Sequence, residues 1–266
     1  MKLFARSILA CGVLCTLLPL TVNSADNLES VRSTSTALIS EDHVPNFNAI
    51  KDPVERKQAF VAYLLPAYQQ VASDILTQRF KLERLKQQLD NGILLSHSQT
   101  MWLDELSSQY NIDLDDDLST SIDKLLVRVD ILPPELVLSQ AATESGWGTS
   151  RLAKRNNNYF GHFCASCGRA PYKSGTVRAK AFSSTEMAVR EYMRNLNTHP
   201  AYKQVRELRA DMRANEKPMD AVVLAKGLRK YSELGDGYVK RIQGMIKTNK
   251  RYWQAGSAAR NAKAKL

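Results

Sequence analysis

Apolar positions recur at helical spacing along most of the chain. Phe60, Tyr63, Leu64 and Tyr68 mark a helical stretch from Asp52 to about Asp90, with Pro66 expected to kink or split it. Trp102, Leu106 and Tyr110 mark a second helix, and Ile122, Leu125, Leu126 and Val129 a third. Pro133 and Pro134 suit the start of a fourth and Gly146 its end. Inside it Val137, Gln140, Ala141 and Glu144 share one face, away from Glu135 and Ser139. Residues 159–182 lose the helical period. Val177, Ala179 and Ala181 alternate with Arg178 and Lys180, and Gly168, Pro171 and Gly175 punctuate the segment, which predicts a small β-hairpin. Helices then resume. Ser183-Ser184-Thr185-Glu186 has the capping-box pattern and opens a helix whose inner face is Val189, Tyr192, Met193 and Leu196. Pro218 and Asp220 start another, and Asp236 is the expected cap of the last, with Val239, Ile242 and Ile246 inward. The pattern predicts a mainly α protein with a small β-hairpin lobe, an α+β arrangement preceded by a helical extension.

The ends of the chain read differently. Lys2 and Arg6, the 16 apolar residues from Ser7 to Val22, and Asn23-Ser24-Ala25 form a signal peptide over residues 1–24. An apolar run of that length, interrupted by Pro19, is short for a membrane span, and the run before Cys11 is short for a lipoprotein signal. The polar residues 25–50 predict a flexible linker, 51–130 a helical N-terminal region, 131–254 the domain that carries Glu144, and 255–266 a basic tail. The net charge is +10, and removal of residues 1–24 leaves +8. A basic exported protein meets anionic partners outside the cytoplasm, which argues against nucleic acid. It favours wall glycan with peptide carboxylates, or peripheral contact with an anionic wall or membrane surface. Solubility alone is the alternative.

Export leaves two cysteines, Cys164 and Cys167, in a C-x-x-C pair. A structural disulfide pinning a loop, a redox pair and half a metal site are the three readings. An oxidising compartment, the lack of a second C-x-x-C and a single nearby histidine, His162, favour the disulfide. Asp113, Asp115 and Asp117 match the opening of a calcium loop, but Leu118 and Lys124 stand where a glycine and a bidentate Glu are needed. The histidines at 43, 97, 162 and 199 lack ligand spacing, so neither metal nor cofactor is expected.

Glu144 is the sharpest candidate. It lies in Ala141-Ala142-Thr143-Glu144-Ser145-Gly146-Trp147-Gly148, at a helix end and on an apolar face. Burial and the negative end of the helix dipole both disfavour its ionised form, which suits a general acid. The alternative is an exposed Glu on a fraying last turn.

That octapeptide, with Asn157-Asn158-Tyr159-Phe160-Gly161, Ala181-Phe182-Ser183-Ser184 and Asn197-Thr198-His199-Pro200-Ala201-Tyr202, resembles the glucosaminidase domain of glycoside hydrolase family 73. The likeness runs from about Ile131 to Tyr252. It implies a lysozyme-like fold, an α-lobe facing a β-lobe across a cleft. It also implies hydrolysis of the β-1,4 bond between N-acetylglucosamine and N-acetylmuramic acid in peptidoglycan glycan strands. Glu144 would be the catalytic acid and Tyr231 the catalytic-site tyrosine, although Asp236 and Tyr238 follow it one or two residues late. Some family members carry a second Glu in the β-lobe, but residues 161–182 contain no Glu or Asp. The capping position accounts for Glu186. The candidates left are a water held by Tyr231 and Asn158, the substrate's own acetamide, or Glu233 or Asp236. Trp147, Tyr159, Tyr202 and Tyr238 are candidates for a sugar-binding surface against the plainer reading of core packing, which suits Phe160 and Phe182. His162 and His199 read as structural. The signal peptide predicts a periplasmic protein, and a monomer is expected; a lytic transglycosylase, a wall amidase and an inactive wall-binding module are the rivals.

Overall fold

The structure is a computed structural model that describes residues 44–164 and 178–253. The predicted signal peptide, the linker before Val44, Cys167, the hairpin interior with Gly168, Pro171, Gly175 and Val177, and the tail lie outside the described residues.

Helix α1 (Pro53–Asp90) starts where Asp52 accepts the amides of Val54 and Glu55 at 2.6 and 2.9 Å, a side-chain cap followed by Pro at the first helical position. It runs through Pro66 rather than splitting there. Leu64 and Tyr68, on either side of the proline, are both buried, so tertiary packing offsets the lost backbone hydrogen bond. At 1.5 Å per residue α1 is about 57 Å long. It packs on α3 (Leu118–Arg128), α4 (Pro134–Ser145) and α6 (Thr185–Thr198). The described residues from Val44 on form one compact unit, so the helical extension shares its core with the Glu144 domain.

Two local expectations change. The capping box lies at the start of α2 (His97–Gln109), where Ser96 and Gln99 exchange bonds of 3.3 and 2.7 Å. At α6 the cap is Ser184, whose hydroxyl accepts the Met187 amide, so Glu186 sits one position too early for a box and pairs with Arg190 instead. Asp236 likewise is the first residue of α9 (Asp236–Thr248) and not its cap, which is Gly235. In the acidic turn, Asp117 caps α3 and Asp115 pairs with Lys124.

After α5 (Arg151–Asn156) the described strand structure is one antiparallel pair, β1 (Phe163–Cys164) against β2 (Arg178–Ala179), in register Phe163 to Ala179. The described residues thus show a mainly helical fold, consistent with a lysozyme-like one, and no β-lobe beyond that rung. The remaining chain is α7 (Lys203–Ala214), the short α8 (Ala221–Leu224, capped by Asp220) and α9, which packs on α4. Among the described residues no helix is long and apolar enough to cross a membrane.

A buried ionic cluster fastens α1, α6 and α7 to the loop before α4. Asp130 accepts Arg213 at 2.7 and 2.9 Å, with Arg79 at 3.5 Å and Arg209 at 3.8 Å. Arg209, itself buried, also donates to the carbonyls of Val127 and Ile131 and to Asn197. Residues 44–50 are not linker here: Phe47 is fully buried against Phe60 and Tyr63. Its ring lies where a Cβ on Gly148 would stand, 2.3 Å away, and with φ +78° that position admits only glycine without rearrangement.

Candidate active site

Pro133 and Pro134 start α4 and Gly146, at φ +58°, ends it, as the sequence predicts. Glu144 is therefore held one residue from a helix end, half-buried, on the face that α9 covers. Tyr238, in the first turn of α9, donates its phenol proton to Glu144 Oε1 at 2.7 Å. The same phenol oxygen accepts Gln140 Nε2 at 3.0 Å, and Gln140 Oε1 accepts the Tyr192 hydroxyl in a short contact. A buried chain thus runs from Tyr192 through Gln140 and Tyr238 to the carboxylate.

One oxygen of Glu144 is taken up by this chain, and Oε2 has no hydrogen bond among the described residues. Gly161 has φ +66°, and a Cβ there would stand 3.5 Å from Oε2, so this oxygen lies against the turn. Burial is the main influence on the carboxyl and raises its pKa, while the Tyr238 hydrogen bond and the field of Arg241 pull it partly back. The four phenols nearby, Tyr192, Tyr202, Tyr231 and Tyr238, are all pushed up, first by burial, with the Glu144 charge among the further causes in each. They are neutral hydrogen-bonding groups at physiological pH.

Tyr231 is close to Glu144 but not bonded to it. Its hydroxyl donates to Phe160 O at 2.9 Å, and its ring stacks on Tyr238 at 5.4 Å and 9°. The tyrosine that bonds the carboxylate is Tyr238, while Tyr231 stacks on it at the cleft. Gly161 and Tyr231 line a cleft of about 210 Å³ together with His162, Lys180, Glu191, Asn195 and Tyr202. Glu191, on α6, is the carboxylate in this cleft that the sequence pattern missed. Lys180 closes on it in a short ion pair. Burial pushes the Glu191 carboxyl up, but Lys180 first and Arg194 with it outweigh burial and hold the pKa below the ordinary glutamate value. Its signal in the sequence is faint: a charged residue between the inward positions Val189 and Tyr192.

The other candidates separate. Tyr202 lines the cleft, 5.9 Å from Tyr231. Trp147, at φ +59°, stacks on Trp253 at 5.6 Å and 6° and meets Phe60 edge-on, so packing accounts for it. Tyr159 is fully buried beside Phe60 and Tyr63 and belongs to the core. Asn158 is buried too: its amide donates to the carbonyls of His162 and Lys180 and its oxygen accepts the His162 amide. It ties the Phe160-Gly161 turn to the residue after β2. Glu186 is paired with Arg190 and Asp236 with Arg229. His199 Nδ1 accepts the Ala201 amide and caps the turn Pro200–Tyr202. Burial pushes His162 down to about 4, so it is neutral. Cys164 has its backbone in β1, and its side chain, like Cys167, lies outside the described residues.

Residues 119–264 match the family described as Mannosyl-glycoprotein endo-beta-N-acetylglucosaminidase. The chain is similar to Protein bax of Escherichia coli (strain K12), 31% identical over 217 residues that cover 78% of this chain and 75% of that protein. No solved structure matches it.

Proposed function

We propose, from the premise that the chain belongs to the mannosyl-glycoprotein endo-beta-N-acetylglucosaminidase family, that it is an exported peptidoglycan hydrolase of the periplasm. It cleaves the β-1,4 bond on the N-acetylglucosamine side, with Glu144 as general acid. The observation that carries this reading is the asymmetric environment of one carboxylate. Oε1 is held by Tyr238, Oε2 lies beside Gly161 with no hydrogen bond among the described residues, and burial favours the protonated form. A proton on Oε2 is available to a glycosidic oxygen, and leaving-group protonation is the first demand of glycoside hydrolysis.

The complementary role falls to Glu191 in this reading. The two carboxyls have opposite environments, one raised by burial and one held down by Lys180, and such divergence separates acid from base. Lys180 keeps Glu191 ionised at the cleft, where it can orient and deprotonate a water. The neutral Tyr202 and Tyr231 contribute aromatic surface to the same wall and suit the faces of pyranose rings.

Glu144→Gln tests the assignment. The amide keeps size and reach but has no proton to give, so turnover of purified peptidoglycan should fall by about 10²–10⁴-fold with the fold retained. Near-full activity in a folded Glu144→Gln protein removes the reading. The products decide among the rivals: a new reducing-end N-acetylglucosamine supports it, an anhydro-muramic end signals a lytic transglycosylase, and free stem peptide an amidase. No product at all from the wild type signals a binding module.

A further inference from the structure

We propose that the pocket between α1, α2 and α6 binds a carboxylate of the stem peptide that wall glycan carries, with Arg194 as its cation. The proposal rests on the peptidoglycan reading above and extends the substrate site beyond the sugars.

The pocket holds about 400 Å³ and is bounded by Gln78, Gln109, Tyr110, Arg190, Glu191 and Arg194. Glu191 also lines the cleft beside Gly161 and Tyr231, so the two concavities meet at that side chain. In this proposal a glycan held in the cleft directs its peptide branch past Glu191 into the pocket.

The two arginines one turn apart on α6 are not equivalent. Arg190 is neutralised by Asp74 at 2.6 Å and Glu186 at 2.7 Å. Arg194 is exposed at the pocket and has no carboxylate partner among the described residues. Its field reaches both Glu191 and Tyr110, where it opposes the effect of burial. Tyr110 donates its hydroxyl to Gln78 Oε1 at 3.0 Å, which leaves the Gln78 amide nitrogen as a donor facing the same space. The Gln109 amide is exposed beside it. One free guanidinium with flanking amides is a donor set for a single carboxylate, which it can take bidentately. A sugar hydroxyl needs no such cation. A polyanion would meet the ionised Glu191.

The fold supplies a second reason. Gln78, Gln109 and Tyr110 precede residue 119, where the family match begins, so the helical extension builds the outer wall of this pocket. The extension then does more than lengthen the core: it adds a subsite for the peptide to a domain that cleaves the glycan.

The test uses the full chain and three probes in an NMR titration: a synthetic acidic stem peptide, the same peptide with its carboxylates amidated, and vesicles of anionic phospholipid. Wild type should bind the acidic peptide saturably. Amidation and Arg194→Ala should each weaken binding by about tenfold or more, and Arg194→Lys should recover part of it. Arg194 is exposed, so a thermal melt should be unchanged. No binding of the acidic peptide by wild type, or equal binding by Arg194→Ala, overturns the proposal. So does binding to vesicles that depends on Arg194 when peptide binding does not. No turnover is required, so the outcome is separable from the hydrolase reading. A protein that binds the peptide yet cleaves nothing fails as a hydrolase alone. One that cleaves peptide-bearing glycan with the same KM after Arg194→Ala fails the subsite alone.

Discussion

Tyr238→Phe removes one oxygen from the centre of the proposed site and should move the pH dependence of the enzyme. In the wild type that oxygen donates to Glu144 Oε1 at 2.7 Å and accepts from Gln140 at 3.0 Å. Burial raises the Glu144 pKa, and the Tyr238 bond is the largest influence opposing it. A hydrogen bond to a charged group contributes about 1.5–3 kcal/mol, and one pKa unit corresponds to about 1.4 kcal/mol. Without the phenol the carboxylate form loses that support, so the pKa should climb further, by about 1–2 units. Glu144 works protonated in this reading, hence the alkaline limb of kcat/KM should shift upward by that amount. The sign for stability follows. Because the folded-state pKa is raised, the folded protein is favoured below the unfolded value and loses that advantage as pH rises through the folded one. Tyr238→Phe should make the loss larger. It also strands Gln140 Nε2 in a buried site, at a cost of about 1–3 kcal/mol in a denaturant melt. The assay is a pH–rate profile on solubilised peptidoglycan for wild type, Tyr238→Phe and Tyr231→Phe. Tyr231 donates to Phe160 O and not to Glu144, so its variant should keep the wild-type alkaline limb. An unmoved limb in folded Tyr238→Phe, or a limb that moves only in Tyr231→Phe, refutes the reasoning.

Two further outcomes are expected. Glu191→Gln should lower kcat on peptidoglycan by about 10²–10⁴-fold while KM changes little, because the cleft keeps its shape but loses its base; parity with wild type would leave Glu144 as the sole carboxyl of the reaction. Asp130→Ala should cost about 3–5 kcal/mol in a urea melt, since it leaves the buried Arg209 without its counter-charge. In the wild type, burial pushes the Asp130 carboxyl up but Arg213, Arg209 and Arg79 outweigh it and hold the pKa low. The stability it contributes is present above the ordinary aspartate value and lost as pH falls through the lowered one. Acid titration of the melting temperature should show that loss in wild type and not in Asp130→Ala.

What the sequence by itself determined about this protein is local. Two prolines and a glycine bound α4 because a missing N–H is harmless in a first helical turn and a left-handed residue ends a last one. Spacing then put Glu144 on the half-buried face four residues from Gln140, and its raised pKa follows from burial at that position. Asp52 and Asp220 as helix starts, and the inward faces of α6 and α9, were legible for the same reason: each rests on contacts within one turn. Even short range has limits, since Ser183 and Ser184 are equally good caps on paper and the fold uses Ser184. Which tyrosine meets Glu144 was not legible. Tyr231 and Tyr238 are seven residues apart on either side of Gly235, and the turn at φ +54° together with the packing of α9 on α4 decides that Tyr238 bonds while Tyr231 stacks behind it. Tertiary structure also took Trp147 and Tyr159 into the core and drew Phe47 from the expected linker onto Gly148. Aromatic burial depends on partners such as Trp253, more than a hundred residues away in the chain, and no local pattern encodes that meeting. Glu191 is the same case: a polar residue on a helix flank until the fold brings Lys180, Gly161 and Tyr231 around it. Periodicity reports which side of an element faces inward, and only the packing of elements against one another determines what that side touches.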